Sequence, residues 1–73
     1  MAVRARDLMT RSLISIDAED TVTEAARLMD RKRTHSILVG HGKEFSGIIT
    51  DLDMVSRVVS KGLDPSRVKV REL

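Results

Sequence analysis

The apolar residues of this chain switch repeatedly between strand-like and helical spacing, and that alternation limits the fold more than any other feature. Leu13-Ile14-Ser15-Ile16 is a short strand-like run, closed by the turn-rich acidic loop Asp17-Ala18-Glu19-Asp20. Thr21 and Glu24 then form a capping-box pattern, and Val22, Ala25, Ala26 and Met29 recur at helical spacing, which predicts one buried face. Arg31-Lys32-Arg33 falls in the last turn, where cations complement the helix dipole. Ile37-Leu38-Val39 is too short an apolar run for a helix, and Gly40-His41-Gly42-Lys43 supplies the turn into Phe45-Ser46-Gly47-Ile48-Ile49-Thr50, so the pair reads as a β-hairpin. A second helix is predicted from near Thr50 through Val59, with Leu52, Val55 and Val59 on one stripe and Met54 and Val58 on its flank. Gly62 is placed to end it in a left-handed conformation, with Pro65 shortly beyond. The order is β-α-β-β-α. It predicts a small α/β (α+β) unit in which two helices pack on one face of a three-stranded sheet.

A chain of 73 residues has room for one such unit and buries only about 60% of its unfolded surface, so a partner surface is expected. A two-fold homodimer is the commonest way to supply one. The absence of cysteine excludes a disulfide framework and a cysteine-based zinc site, and suits a reducing cytoplasm. Met1 to Met9 carry Arg4, Arg6 and Asp7 and do not read as a signal peptide, and no run approaches the ~18 apolar residues of a membrane span. The expected location is cytoplasmic. A net charge of +2 with 33% charged residues describes a mixed surface, and Phe45 is the single aromatic residue. The stacking platforms of single-strand and RNA binders are therefore missing, and Arg31-Lys32-Arg33 stands in no helix-turn-helix pattern, so nucleic acid is not the expected partner.

Val68-Lys69-Val70-Arg71-Glu72-Leu73 repeats the order of Val3-Arg4-Ala5-Arg6-Asp7-Leu8, with apolar, basic and acidic positions in register. Self-similarity at a fixed offset marks a repeat unit. Residues 3–67 are therefore read as one motif, and 68–73 as a linker or the start of a second, a pattern that favours a fragment of a longer tandem over a natural single-motif chain.

Gly47-Ile48-Ile49-Thr50-Asp51-Leu52-Asp53 ends an apolar strand in a hydroxyl and, three residues later, a carboxylate. Thr50 and Asp53 on a helix start could hydrogen-bond a ribose diol, or could cap the helix by satisfying its orphan N–H groups. No Ser/His/Asp constellation, P-loop or dinucleotide glycine fingerprint accompanies them, so an enzyme is not expected. His35 and His41 are too few ligands for a zinc site.

Asp7-Leu8-Met9-Thr10, Thr21 to Met29, His35-Ser36-Ile37-Leu38-Val39 and Gly47-Ile48-Ile49-Thr50 with Asp53, in this order and spacing, resemble a single CBS (cystathionine-β-synthase-type) motif, half of the tandem called a Bateman module. The resemblance covers nearly all of residues 3 to 67. It implies an adenosine-containing ligand, such as AMP, ADP or ATP, in a cleft between paired motifs, with Thr50 and Asp53 on the ribose. It also implies adenine against the strands containing Ile14, Ile16 and Ile37, bonded to backbone near His35, Ser36 and Ile37. Leu52 departs from the basic residue that many members place before the aspartate. Phosphate contacts would then come from Arg11, Lys32, Arg33, His35 or the paired motif. Some CBS motifs bind nothing and only pair, so a ligand-free dimerisation module is the alternative to an adenine-nucleotide sensor.

Overall fold

The computed structural model describes residues 14–73. Leu13, Arg11, the Asp7 to Thr10 motif and the first copy of the repeated hexapeptide lie outside them. Strand β1 (Ser15–Asp17) leads to helix α1 (Val22–Lys32), followed by β2 (Ser36–His41) and β3 (Glu44–Thr50). Helix α2 (Asp51–Met54) continues directly into a π-helical stretch, Val55–Val59, and a 3-10 turn, Val70–Glu72, ends the chain. The sheet order is β1-β2-β3, with β1 parallel to β2 and β3 antiparallel to it, as the sequence pattern predicts for three strands and two helices.

Thr21 caps α1 by accepting a hydrogen bond from the Glu24 N–H at 3.2 Å. The reciprocal box closes instead at Thr50. Here the hydroxyl accepts from Asp53 N–H at 3.2 Å, and Asp53 Oδ2 accepts from Thr50 N–H at 2.9 Å. At the other end of α1, Arg33 adopts a left-handed φ of 55° and donates its N–H to the carbonyls of Asp30 and Met29. The basic triplet thus stands where the helix leaves bare carbonyls.

The sheet is apolar on the side that the helices cover. Ile16, Ile37, Val39 and Ile49 are buried there against Val22, Ala25 and Met29 of α1 and against Met54 and Val58. Burying an aliphatic side chain of this size stabilises the fold by about 1.5–3 kcal/mol, so this one layer supplies most of the cohesion. Two positions differ from the periodicity. Ala26 is exposed, and Leu28 packs on the edge of the core in its place.

In the second helix the buried and exposed sides are the reverse of a simple stripe. Val58 is fully buried and Met54 is 6% exposed, whereas Leu52, Val55 and Val59 are 69%, 53% and 62% exposed. Apolar residues surround this helix on several sides, and a three-stranded sheet can cover one of them. Past Met54 the winding widens, with Ser60 N–H bonded to Val55 O at 2.8 Å and Leu63 N–H to Val58 O at 3.0 Å, both i to i+5. Ser56 and Ser60 turn their hydroxyls back onto the carbonyls of Leu52 and Ser56, at 2.8 and 2.7 Å. Gly62, with φ of 73°, ends the helix where a Cβ would be strained.

The C-terminal segment folds back on the unit. Val22 N–H bonds to Val68 O, Val70 N–H to Asp20 O and Arg71 N–H to Ala18 O, at 2.8, 2.8 and 2.9 Å. Val70 is 2% exposed and belongs to the core.

Truncation separates the two sides of α2. Met54→Ala is expected to destabilise the fold by about 2–5 kcal/mol, whereas Leu52→Ser is expected to change the isolated protomer by no more than about 0.5 kcal/mol. Urea melts of the two variants check this.

Candidate functional site

The antiparallel register places Ser36 opposite Thr50 and Ile37 opposite Ile49, so the start of β2 and the end of β3 form one edge of the unit. Asp51 N–H donates to His35 O at 3.0 Å, tying the first residue of α2 to the residue before β2. Leu38 N–H donates to Ile14 O at 2.9 Å, which brings the start of β1 to the same end. Ile14, His35, Ser36, Ile37, Thr50 and Asp53 therefore converge, with Ile16 one step along β1. Ile16 and Ile37 are buried in the core as whole residues, side chain and backbone together.

Thr50 and Asp53 are half-buried and use one atom each in the cap. The cap occupies Asp53 Oδ2, and among the described residues no hydrogen bond reaches Oδ1. The Thr50 hydroxyl accepts in the cap and keeps its own proton to donate. The Asp53 carboxyl is held below the usual carboxylate value, first by the Thr50 backbone N–H, then by the Thr50 side chain, with Arg57 adding positive charge one turn on.

Beside this box, His35 Nδ1 lies 2.7 Å from Asp51 Oδ2, with the His35 side chain 90% exposed. This contact, and the Leu52 N–H that bonds Asp51 Oδ1 at 2.8 Å, lower the Asp51 carboxyl below its ordinary value, the His35 bond being the larger effect. The Thr34 hydroxyl bonds Ser36 O at 3.0 Å and steadies the entry to β2. Asp51, Thr34 and Arg57 thus join the site beyond what the sequence singled out. Asp51 had one available signal, an acid in the first turn of a capped helix. The His35 contact spans 16 residues and leaves no local trace in the sequence.

His35 and Asp51 line a hollow of about 330 Å³ with Met29, Asp30, Arg33 and Thr34. A larger hollow, about 570 Å³, lies toward the opposite end of the unit among Ala18, Val39, Gly47, Ile49, Val70 and Leu73. Thr50 and Asp53 line neither of these two hollows. Among the described residues no group of three or more His, Cys, Asp or Glu gathers to hold a metal ion, and no helix is long and apolar enough to cross a membrane. His41 faces Asp17 at 3.7 Å, away from His35 and its partner.

A three-stranded sheet under two helices, with a capped Thr-x-x-Asp start to the second helix, defines a small α+β module. The CBS domain family model matches residues 5–60, and the chain belongs to that family. It is 33% identical over 73 residues to hypoxic response protein 1 of Mycobacterium tuberculosis, covering 94% of this chain and 49% of that protein. The chain thus spans about half the length of that relative. A cystathionine β-synthase domain protein fused to a Zn-ribbon-like domain superposes with a TM-score of 0.79 at 36% identity, covering 84% of this chain and 87% of that one. A hexameric CBS-CP12 protein from bloom-forming cyanobacteria gives 0.78 at 30%, covering 99% and 41%. CBS motifs pair with one another, and this chain carries one.

The two depressed carboxyls fix the sign of the acid response. A folded-state value below the unfolded one gives stability that is present above pH 3.8, the ordinary aspartate value, and is lost as pH falls through the lowered folded value. Asp51→Asn and Asp53→Asn are each expected to flatten the loss of thermal stability below about pH 4. Melting curves from pH 2 to 7 read the slope.

Proposed function

We propose that this chain is a regulatory, non-catalytic and cytoplasmic module that binds an adenosine-containing ligand of the AMP, ADP or ATP type in a cleft completed by a second CBS motif. The observation that carries the reading is the half-used capping box. Asp53 Oδ1 can accept from one ribose hydroxyl while the Thr50 hydroxyl donates to the other, and the cap that orients both side chains stays closed. The exposed residues His35 and Ser36, with Ile37 buried behind them, lie next to this pair, where an adenine edge can approach their backbone. Ile14 supplies part of an aliphatic wall, and Arg57 and Arg33, with the His35 ring as a hydrogen-bonding group, are available in the same region for phosphate.

In this reading the partner is a second copy, meeting the first through the stripe of Leu52, Val55 and Val59. The ligand then acts by favouring whichever mutual arrangement of the two motifs it binds better. A ligand-free dimerisation module is the second reading, favoured by the fact that the cap alone accounts for Thr50 and Asp53 as helix-start residues.

Calorimetric titration with AMP and ATP separates them. Asp53→Ala is expected to weaken nucleotide affinity by about tenfold to a hundredfold, the range for a hydrogen bond to a charged acceptor. Unchanged affinity alongside a lowered urea midpoint would make Asp53 a cap and nothing more. Ligand at about 100 times its dissociation constant is expected to add about 2.7 kcal/mol to wild-type stability.

The pairing has its own test. Sedimentation is expected to give a homodimer at micromolar concentration and a folded monomer for the Leu52→Asp/Val59→Asp double variant. A wild-type monomer would refute the pairing through this face.

A further inference from the structure

The second occurrence of the repeated hexapeptide, Val68–Leu73, is docked on the unit, and the way it docks identifies what the surface beneath it recognises. Val68 to Leu73 lies along Ala18 to Val22, with Thr21 opposite Lys69 in a single antiparallel bridge before the 3-10 turn. The backbone bonds of this contact are indifferent to sequence, whereas three side-chain contacts are selective. Val70 inserts into the core at 2% exposure. The Glu19 carboxylate bonds Lys69 Nζ at 2.9 Å and Arg71 Nε at 2.8 Å, one cation on each oxygen. Glu72 Oε2 returns to Lys69 N–H at 2.6 Å and sets the turn that follows. The surface therefore reads an apolar residue between two cations, and the acid after the second shapes the segment itself.

Val3-Arg4-Ala5-Arg6-Asp7-Leu8 carries each of these groups in the same register: Arg4 for Lys69, Ala5 for Val70, Arg6 for Arg71 and Asp7 for Glu72. Its apolar residue is smaller, so it fills the core position less well, and within one chain the tethered Val68–Leu73 holds the groove. The charge order of Val3–Leu8 matches what Glu19 selects. We propose that the Ala18–Val22 groove is a docking site for this hexapeptide pattern, and that Val3–Leu8 of a second copy of the chain is its exchange occupant. Such an exchange of equivalent segments joins two protomers without any new type of contact. It is independent of the nucleotide reading, because the groove uses none of the residues of that site.

Intermolecular paramagnetic relaxation tests the exchange in the full chain. The sequence has no cysteine, so Ala2→Cys takes a single nitroxide beside the hexapeptide, and unlabelled spin-carrying chains are mixed with ¹⁵N-labelled chains lacking the probe. Broadening is expected at the amides of Glu19 to Val22. It is expected to rise severalfold when the labelled chain carries Val70→Ala, which weakens the resident segment. Arg71→Ala, at an exposed position, does the same work if Val70→Ala does not fold. Glu19→Lys in the labelled chain is expected to abolish the broadening, and Arg4→Glu/Arg6→Glu in the spin-carrying chain to restore it. Three results would overturn the proposal: no broadening with a folded, weakened resident segment, broadening indifferent to the charge at position 19, or broadening confined to the Leu52 to Leu63 face.

Discussion

Parallel pairing of Ser15–Asp17 with Leu38–Gly40 is the contact on which the rest of the unit depends. Two strands can lie parallel only if the chain crosses back over the sheet between them, and α1 is that crossing. The crossing places Val22, Ala25 and Met29 over Ile16, Ile37 and Val39, which creates the core. It also sets the start of β1 beside the start of β2, and the hairpin then adds the end of β3 to the same edge. Without β1 in this position, Ile14, His35 and Thr50 would have no reason to meet.

The elements themselves were legible because each has a local cause. Thr21 caps one helix, Thr50 caps the other, Gly62 ends it, and the apolar runs of β2 and β3 are too short for anything but strands. The facing of the second helix was not legible. Leu52, Met54, Val55, Val58 and Val59 surround it with apolar groups, and only the sheet beneath decides that Met54 and Val58 go in. The widened turn from Val55 to Val59 carries no glycine or proline to announce it. At the site, the Thr50 and Asp53 pair could be read from its spacing, whereas the His35 and Asp51 contact arises from tertiary closure between β2 and α2. The repeated hexapeptide was visible as a pattern; that Val70 completes the core could come only from the folded chain.

The two ends of the unit are held by different chemistry. At the Thr50 end, polar groups are shared among the cap, His35 and Asp51, all of them in contact with water, so solvent screens these bonds and each alone contributes modestly. At the other end, Val70 is enclosed, and the two cations on Glu19 lie over it at the surface. Apolar enclosure fixes the C-terminal segment there, with the charges selecting its register. Polar exposure leaves the Thr50 end open to solvent.

Ser56 and Ser60 share the outer face of the second helix with Leu52, Val55 and Val59, and their hydroxyls are already bonded to carbonyls of that helix. Burying a hydroxyl or a carbonyl that has lost its water costs several kcal/mol unless a new bond replaces it. On this face those two hydroxyls and the carbonyls they meet have replaced their water before anything arrives. An apolar surface laid against it would thus gain the full transfer free energy of the aliphatic groups without leaving those polar atoms unsatisfied.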